Sequence, residues 1–386
     1  MAKFKKNIVQ IQKGAVGARA LQAWYIRKVT FTGLAKTVTM LIVFVVGLWV
    51  SDRAIAALMY SVYSRITLAG DECLDDVSQS VASALAADPD VYIFGDSRAV
   101  HHYDPEILQQ LTGLSYYNAG ADGQRVLYYC ALAELILRDH HPKAFIVNIN
   151  YSDFELKDYY QYDRLHACTP YLDQSPTLLL NIKGKRWQDK TAYTLSQLLR
   201  FNGRWTPLWR NWHGDVNNTS NGFVPLRGAF NENGVRPILG KNIDEDIYRT
   251  FRAFVKLARI HNVQVILSLG PYYYYRDPHN LPTNGAYYLE FIRHLAVGGE
   301  TALIEIHSDQ DLFFTAQAFK DAEHLNAYGA RYYSQLIAGH IKRIARLTTR
   351  ESYLASIYRP HIEHRSWSFG VLKQTHRFNV IQNLAK

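Results

Sequence analysis

Short apolar segments alternate with longer amphipathic segments from residue 91 onward, and this pattern restricts the fold more than any other feature. The apolar segments have the length of buried strands, and the segments between them carry apolar residues at helical spacing. Strands that alternate with helices form parallel sheets covered on both faces. We therefore predict an α/β fold with a mainly parallel five-stranded sheet. The predicted strands are 91–95, 115–120, 143–149, 263–269 and 302–306.

The segment 151–240 interrupts this alternation. It is rich in Trp, Asn, Gly and Arg, as in "RFNGRWTPLWRNWHGDVNNTSNGFVPLRG". A loop of that length is usually functional or forms a subdomain. We expect one α/β domain at 91–346 that contains this insert, followed by a basic and aromatic tail at 347–386 to which we assign no role.

The N-terminal part of the chain predicts a membrane anchor. The segment "TVTMLIVFVVGLWVS", which begins at Thr37, contains no charge, and a largely apolar stretch follows the pair Asp52-Arg53. A membrane-spanning helix needs about 20 apolar residues, and Lys36 can extend the span by snorkelling. We predict an anchor at 37–62, a basic leader at 1–36 and a linker at 63–90. Two alternatives stay open, a signal peptide cleaved near the small residues "AIA" and a buried core helix.

The charge of the chain supports an anchor and excludes a nucleic-acid role. The net charge is +9, but residues 1–51 hold eight basic residues and no acidic one, so the rest has 35 basic and 34 acidic residues. Positive charge before a span predicts a cytoplasmic N-terminus, and the domain would then be periplasmic or extracellular. The remainder is almost neutral, which is not typical of a nucleic-acid surface.

The sequence predicts no metal or cofactor. The cysteines Cys73, Cys130 and Cys168 have no ligand spacing, and their odd number makes a disulfide framework improbable. His101 and His102 are adjacent, so in a regular strand they would face opposite ways.

Polar residues follow the first three predicted strands. Ser97, Gly120 and Asn150 lie after strands one, two and three, and in such sheets sites form beyond the carboxyl ends of the strands. Each also has an ordinary interpretation: Ser97 as a cap of the next helix, the other two as turn residues.

The segment "FKDAEHLNAYGARYYSQ" adds Asp321 and His324 before the last predicted helix. A serine nucleophile needs a neighbouring base, and an imidazole base needs a carboxylate that fixes its tautomer. Backbone N–H groups at Ser97 and Gly120, with the Asn150 amide, could stabilise an oxyanion. The alternative for Asp321 and His324 is a helix cap beside a surface histidine.

These motifs resemble the SGNH (GDSL-type) hydrolase superfamily. "FGDS" with Ser97, "NAG" with Gly120 and "DAEHLN" with Asp321 and His324 are similar to its first, second and last blocks. The third block, usually Gly-x-Asn-Asp, is absent from "NINYSDF", so Asn150 has Asn148 and Ser152 as alternatives. The resemblance covers 91–150 and 263–345 and implies a three-layer flavodoxin-like fold.

The resemblance also implies a function. Anchored bacterial members add or remove O-acyl groups on cell-wall or exported polysaccharides, so we expect a serine esterase or O-acyltransferase, with a membrane acyl-donor protein as a further partner. The insert and "GPYYYYRDP" would line a glycan groove in which Tyr272, Tyr273 and Tyr274 stack on sugars; simple loop packing is the alternative. A second hypothesis is a non-catalytic, membrane-tethered glycan-binding or scaffold protein.

Overall fold

The structure is a computed structural model of the 386-residue chain. The chain divides into two compact units, Met1–Ile341 and Lys342–Lys386. Of the second unit, the structure describes only residues 342–357, which form the end of the last helix. The residues that the structure describes are 2–65, 77–150, 153–154, 161–162, 165–182, 187–201, 221–230, 242–273, 285–297, 301–306 and 315–357.

A five-stranded sheet forms the centre of the first unit. All of its strands pair in parallel, in the order β2-β1-β3-β4-β5. The prediction of an α/β fold with a parallel five-stranded sheet is confirmed. The strands are β1 Val91–Phe94, β2 Tyr116–Asn118, β3 Ala144–Asn148, β4 Gln264–Leu269 and β5 Thr301–Glu305.

Helices connect the strands and begin and end where the sequence provides signals. Asp104 caps the helix Pro105–Thr112, whose first residue is Pro105. Gly113 ends this helix with φ of +79°, a conformation that glycine adopts without strain. The α-helices are α1 Ala2–Arg65, α2 Val77–Ala87, α3 Ser97–His102, α4 Pro105–Thr112, α5 Val126–Asp139, α6 Pro176–Asn181, α7 Trp187–Leu195, α8 Glu245–Ile260, α9 Gly285–Val297 and α10 Ala327–Ile357, and 3-10 helices occur at Leu165–Gln174, Leu198–Phe201 and Ala316–Ala318.

The core lies between the sheet and the helices α5 and α8. Phe94 of β1 stacks on Tyr129 of α5 at a centroid distance of 6.3 Å, and Phe145 of β3 stacks on Phe254 of α8 at 5.9 Å. Every residue of β1 and β3 is buried, which explains their continuous apolar character. Burying each such side chain stabilises the fold by roughly 1.5–3 kcal/mol.

The predicted linker at 63–90 is partly a structural element of the domain. Its residues 77–87 form α2, in which Val81 and Ala84 are fully buried. The Ala84 carbonyl also accepts a hydrogen bond from the Tyr92 hydroxyl of β1 at 3.1 Å. Residues 66–76 lie outside the described part of the chain.

Helix α1 contains a segment that is long and apolar enough to cross a membrane. The segment Gly33–Ser61 has a mean hydropathy of 2.0, and none of its most apolar window is buried against the protein. A core helix would bury that surface, so the core-helix alternative does not hold for this window. The end of the segment does contact the domain, because Ala56 and Met59 are buried there. Cys130 is packed in the core.

Candidate active site

The turn between β1 and α3 positions Ser97. Gly95 has φ of +146°, and a Cβ at this residue would lie 2.9 Å from the Cβ atoms of Ala99 and Asn148. Asp96 then caps α3, accepting a hydrogen bond from the Arg98 N–H at 3.0 Å. The chain therefore reverses sharply at Gly95, and Ser97 becomes the first residue of α3 at the carboxyl end of a central strand.

Ser97, His324 and Asp321 form a hydrogen-bonded triad. The Ser97 Oγ lies 2.7 Å from His324 Nε2. On the other side of the ring, His324 Nδ1 lies 2.9 Å from Asp321 Oδ2 and 3.0 Å from Oδ1. A carboxylate only accepts, so Nδ1 carries the proton and Nε2 accepts from the serine hydroxyl. The chain thus brings together the three residues that the sequence predicted as catalytic.

Asp321 and His324 shift each other's pKa values. Burial by itself would lower the pKa of His324, but the hydrogen bond and charge of Asp321 outweigh it, so the pKa is raised. Burial would raise the pKa of Asp321, but the same pair lowers it to about 2. Asp321 is therefore ionised at neutral pH, and its charge would favour a protonated imidazole at His324.

The loop that carries Asp321 and His324 is fixed by local contacts. The Lys320 N–H donates to the His324 carbonyl at 2.8 Å. Asn326 caps α10 by accepting from the Gly329 N–H at 3.0 Å. A Cβ on Gly329 would lie 2.1 Å from the Ala318 carbonyl oxygen, so only glycine permits this approach. The segment "DAEHLNAYG" thus starts helix α10 and also positions His324.

Two further histidines flank His324, and sequence reasoning did not assign them a role. The His102 Nε2 accepts a hydrogen bond from the Leu325 N–H at 2.9 Å, which joins the loop of Asp321 and His324 to α3. His101 donates from Nδ1 to the Val224 carbonyl at 2.7 Å, and its ring meets His324 edge-on at 5.7 Å. Burial lowers the pKa of both flanking histidines, so neither adds positive charge beside His324. In the sequence, the position of His101 and His102 shortly after "GDSR" was the one feature that indicated their closeness to Ser97.

The insert reaches the site through residues 221–230. The Val224 N–H donates to the Val100 carbonyl of α3 at 3.1 Å, and the Asn118 N–H donates to the Asn221 carbonyl at 2.8 Å. A Cβ on Gly222, which has φ of +83°, would lie 2.0 Å from the Asn118 carbonyl oxygen. This part of the insert is therefore packed tightly against the ends of β2 and α3.

The predicted oxyanion donors Gly120 and Asn150 contact residues on either side of Ser97 in the sequence, and both already donate a hydrogen bond. The Gly120 N–H donates to Asn118 Oδ1 at 3.1 Å, and a Cβ on Gly120 would lie 2.7 Å from the Ala99 Cβ. The Asn150 Nδ2 donates to Asp96 Oδ2 at 2.9 Å. The single N–H of Gly120 would have to be shared with an oxyanion.

Of the two alternatives to Asn150, one is in the described part. Asn148 Oδ1 accepts from the Tyr103 hydroxyl at 3.0 Å, and its Nδ2 lies 3.5 Å from Asp96 Oδ1. Ser152 lies outside the described residues. The role of the third oxyanion donor therefore stays a prediction.

A buried polar network surrounds Asp96, the residue that precedes Ser97. Arg98 is 1% exposed, with its Nε 3.5 Å from Asp96 Oδ1 and its guanidinium 4.4 Å from the centre of the Tyr272 ring. Burial would raise the pKa of Asp96, but the Arg98 charge and the Asn150 hydrogen bond lower it. Burial and the Asp96 charge raise the pKa of Asp153 to about 7.

The tyrosines expected to stack on sugars have different positions. Tyr272 is fully buried, and its hydroxyl donates to Asn150 Oδ1 at 2.6 Å, so it holds the amide and offers no ring face to a ligand here. This corrects its expected role; an aromatic run in the sequence does not distinguish a buried ring from an exposed one. Tyr273 is half-buried and meets Phe230 edge-on at 5.0 Å. Tyr274 lies outside the described residues.

The described residues contain no group of His, Cys, Asp or Glu with the arrangement of a metal site. A comparison with known protein families finds no model that matches the chain, and a comparison with curated proteins likewise finds no match. The interpretation of this site therefore rests on its geometry.

Proposed function

We propose that this chain is a membrane-anchored serine esterase or O-acyltransferase. The observation that carries the proposal is the unbroken hydrogen-bond chain from Ser97 Oγ through His324 to Asp321. Three residues separated by up to 227 positions converge in the arrangement that activates a serine hydroxyl. A purely structural role would not need this order of donor, base and carboxylate.

The reaction proceeds through an acyl-enzyme. Ser97 Oγ attacks the carbonyl carbon of an ester while its proton moves to His324 Nε2. The tetrahedral intermediate then collapses, the proton passes from His324 to the leaving alcohol, and the acyl group stays on Ser97. Water or a sugar hydroxyl next attacks the acyl carbon, losing its proton to His324, which returns it to Ser97. Water gives hydrolysis, and a sugar hydroxyl gives transfer.

The substrate class is proposed from the resemblance to the SGNH superfamily. We propose an O-acylated exported or cell-wall polysaccharide, with no cofactor, and for the transferase a membrane acyl-donor protein as partner. We also propose the three-layer flavodoxin-like arrangement, which the strand order β2-β1-β3-β4-β5 supports. The anchor would place the leader in the cytoplasm and the domain in the periplasm or outside the cell.

The experiment that tests this function measures ester cleavage. Purified full-length chain is incubated with an O-acetylated polysaccharide, and released acetate is measured against the Ser97→Ala variant. We expect acetate release, or with an added acyl donor a gain of acetyl groups on the glycan, only for the unmodified chain. Equal acetate contents with both proteins under both conditions would contradict the proposal.

A second candidate function is a non-catalytic, membrane-tethered glycan-binding or scaffold protein. The engaged N–H of Gly120 favours it, because an oxyanion hole needs donors that are aimed at the oxyanion. The two functions differ in one observable, which is whether Ser97 reacts with an electrophile.

A further inference from the structure

The apolar segment of α1 contains one acidic residue, and the insert binds it. Asp52 Oδ1 accepts hydrogen bonds from the Ser196 hydroxyl and from the Leu198 N–H, and its Oδ2 accepts from the Gln197 N–H at 2.9 Å. A carboxylate in an apolar segment is unfavourable unless it has partners. Asp52 therefore acts as the cap of the 3-10 helix Leu198–Phe201, although it belongs to a different element.

The residues beside Asp52 are typical of a membrane boundary. Arg53 Nη1 donates to the Leu195 carbonyl at 3.1 Å, and its guanidinium lies 4.8 Å from the centre of the Trp49 ring. Tryptophan is enriched where the hydrocarbon meets the headgroups, and arginine reaches from there into water. Trp49 is 56% exposed, so its ring is available to lipid.

The length of the exposed apolar surface gives the same boundary. Large apolar side chains on α1 are exposed throughout Leu34 to Val50. Beyond Arg53 the helix still exposes Ile55 and Leu58, but its other face packs on the domain, where Ala56 and Met59 are buried. A helix rises 1.5 Å per residue, so the distance from Leu34 to Arg53 is about 29 Å, close to the roughly 30 Å of a bilayer's hydrocarbon core. If one end of the span lies at Leu34, the pair Asp52-Arg53 lies at the opposite interface, and the span ends there and not at residue 62 as the sequence predicted.

The part of the insert held at this depth exposes apolar side chains. Leu195 is 69% exposed and Leu199 is 46% exposed, and they flank the three residues that bind Asp52. Single exposed leucines are ordinary on a protein surface. Leu195 and Leu199, however, lie on one short turn that is hydrogen-bonded to the anchor at Asp52. At this point the anchor would leave the hydrocarbon of the membrane, so lipid would surround both leucines.

We propose that the Leu195–Phe201 turn lies in the bilayer interface, with Leu195 and Leu199 inserted among the lipids of the membrane that holds the anchor. Asp52 fixes the depth of the turn. A second contact holds the insert to the anchor, because Tyr60 donates to the Pro170 carbonyl at 2.5 Å. The domain then rests on the membrane through its insert. This inference rests on the proposed membrane anchor and is independent of the proposed chemistry.

The test measures the depth of nitroxide labels on the full-length chain in phosphatidylethanolamine–phosphatidylglycerol nanodiscs. Cys73→Ser provides the background, since Cys130 and Cys168 are buried. Labels are placed by Leu195→Cys or Leu199→Cys, and accessibility to oxygen is compared with accessibility to a water-soluble nickel chelate. The matched control is Ile260→Cys at the end of α8, because Ile260 is 66% exposed. A label at Val43→Cys reports the anchor itself.

We expect labels at 195 and 199 to have an oxygen-to-nickel ratio several-fold above that at 260 and nearer to that at 43. Adding Asp52→Ala should move the ratio at 199 towards that at 260. If the label at 43 is in lipid while 195 and 199 match 260, the inference is wrong and the anchor stands. If the label at 43 is in water, the anchor and the inference both fail. Neither result bears on whether Ser97 is reactive.

Discussion

Replacing Asp321 with asparagine should impair the triad by forcing the wrong tautomer on His324. Asp321 Oδ1 accepts from the backbone N–H groups of Glu323 and His324, both at 2.8 Å. In Asp321→Asn these two donors keep the amide oxygen at that position. The amide NH₂ then occupies the place of Oδ2, which lies 2.9 Å from His324 Nδ1. Oδ1 also lies 3.0 Å from Nδ1, but it already accepts two N–H bonds. The amide NH₂ therefore favours the tautomer in which Nδ1 accepts and Nε2 carries the proton, and this Nε2 can no longer take the proton of Ser97.

The size of the loss follows from this tautomer. Related triads lose on the order of 10⁴-fold in kcat for the same change, which corresponds to about 5 kcal/mol of transition-state stabilisation. The variant should still exceed Ser97→Ala and His324→Ala, because the carboxylate only orients the base. The three residues act as one unit, so the double Ser97/His324 variant should be little worse than either single one.

The pH profile provides a second readout. His324 accepts a proton only when neutral, and its pKa is raised, so kcat/KM of the unmodified chain should increase with pH through a value above 6.5. Asp321→Asn removes the group that raises the pKa while the burial that lowers it remains. The rising limb should therefore move to lower pH as the maximum rate falls.

The assay measures hydrolysis of p-nitrophenyl acetate by the detergent-solubilised full-length chain from pH 5 to pH 9. Asp246→Asn serves as the matched control, since Asp246 is an exposed aspartate paired with Arg249 on α8, and its profile should equal that of the unmodified chain. An Asp321→Asn variant within about tenfold of the unmodified rate, with its limb unmoved, would refute the proposed role of Asp321.

Three other changes test the fold around the site and the anchor. Gly120→Ala should lower both the melting temperature and the activity, because the new Cβ at residue 120 would lie 2.7 Å from the Ala99 Cβ. An unchanged melting temperature in differential scanning calorimetry would contradict this close approach. The pKa of Asp153 is raised to about 7 in the folded chain, whereas in the unfolded chain it is about 4. The folded chain therefore keeps a proton that the unfolded chain loses, and the contribution of Asp153 to stability falls as the pH rises from about 4 to about 7. Asp153→Asn should therefore gain stability relative to the unmodified chain by a few kcal/mol from pH 4 to pH 8, and urea unfolding with a pH-independent difference would argue against a buried neutral acid. Asp52→Ala should cost about 1–2 kcal/mol of local stability, because it leaves the first N–H groups of Leu198–Phe201 without a cap, and limited proteolysis should then cut near that turn faster.

Much of the fold was predictable because the strands are short and apolar and because β1 to β4 are almost entirely buried. The strand Ala144–Asn148 lies inside the predicted 143–149, and the residues that bound α4, Asp104 and Gly113, are helix start and stop signals that a sequence displays. Helix α3 was not predicted. It has only six residues, too few to display a helical period, and it forms because Asp96 caps it.

The candidate site was partly predictable for a similar reason. Ser97 and His324 follow from their positions at the ends of elements, which a sequence displays. The burial of Tyr272 and its bond to Asn150 do not, because they depend on which loop packs over the network around Asp96. The contact between Asp52 and residues 196–198 joins segments more than 140 positions apart, and no local pattern indicates such a pair.

The central claim is that Ser97 is an activated nucleophile, and covalent labelling tests it most directly. The folded full-length chain is treated with a fluorophosphonate at pH 8, and the modified residue is identified by mass spectrometry. The account predicts a single phosphonylated residue, Ser97, with labelling absent in Ser97→Ala and strongly slowed in His324→Ala. A folded chain in which Ser97 stays unmodified, or in which His324→Ala labels at the same rate, would contradict the claim.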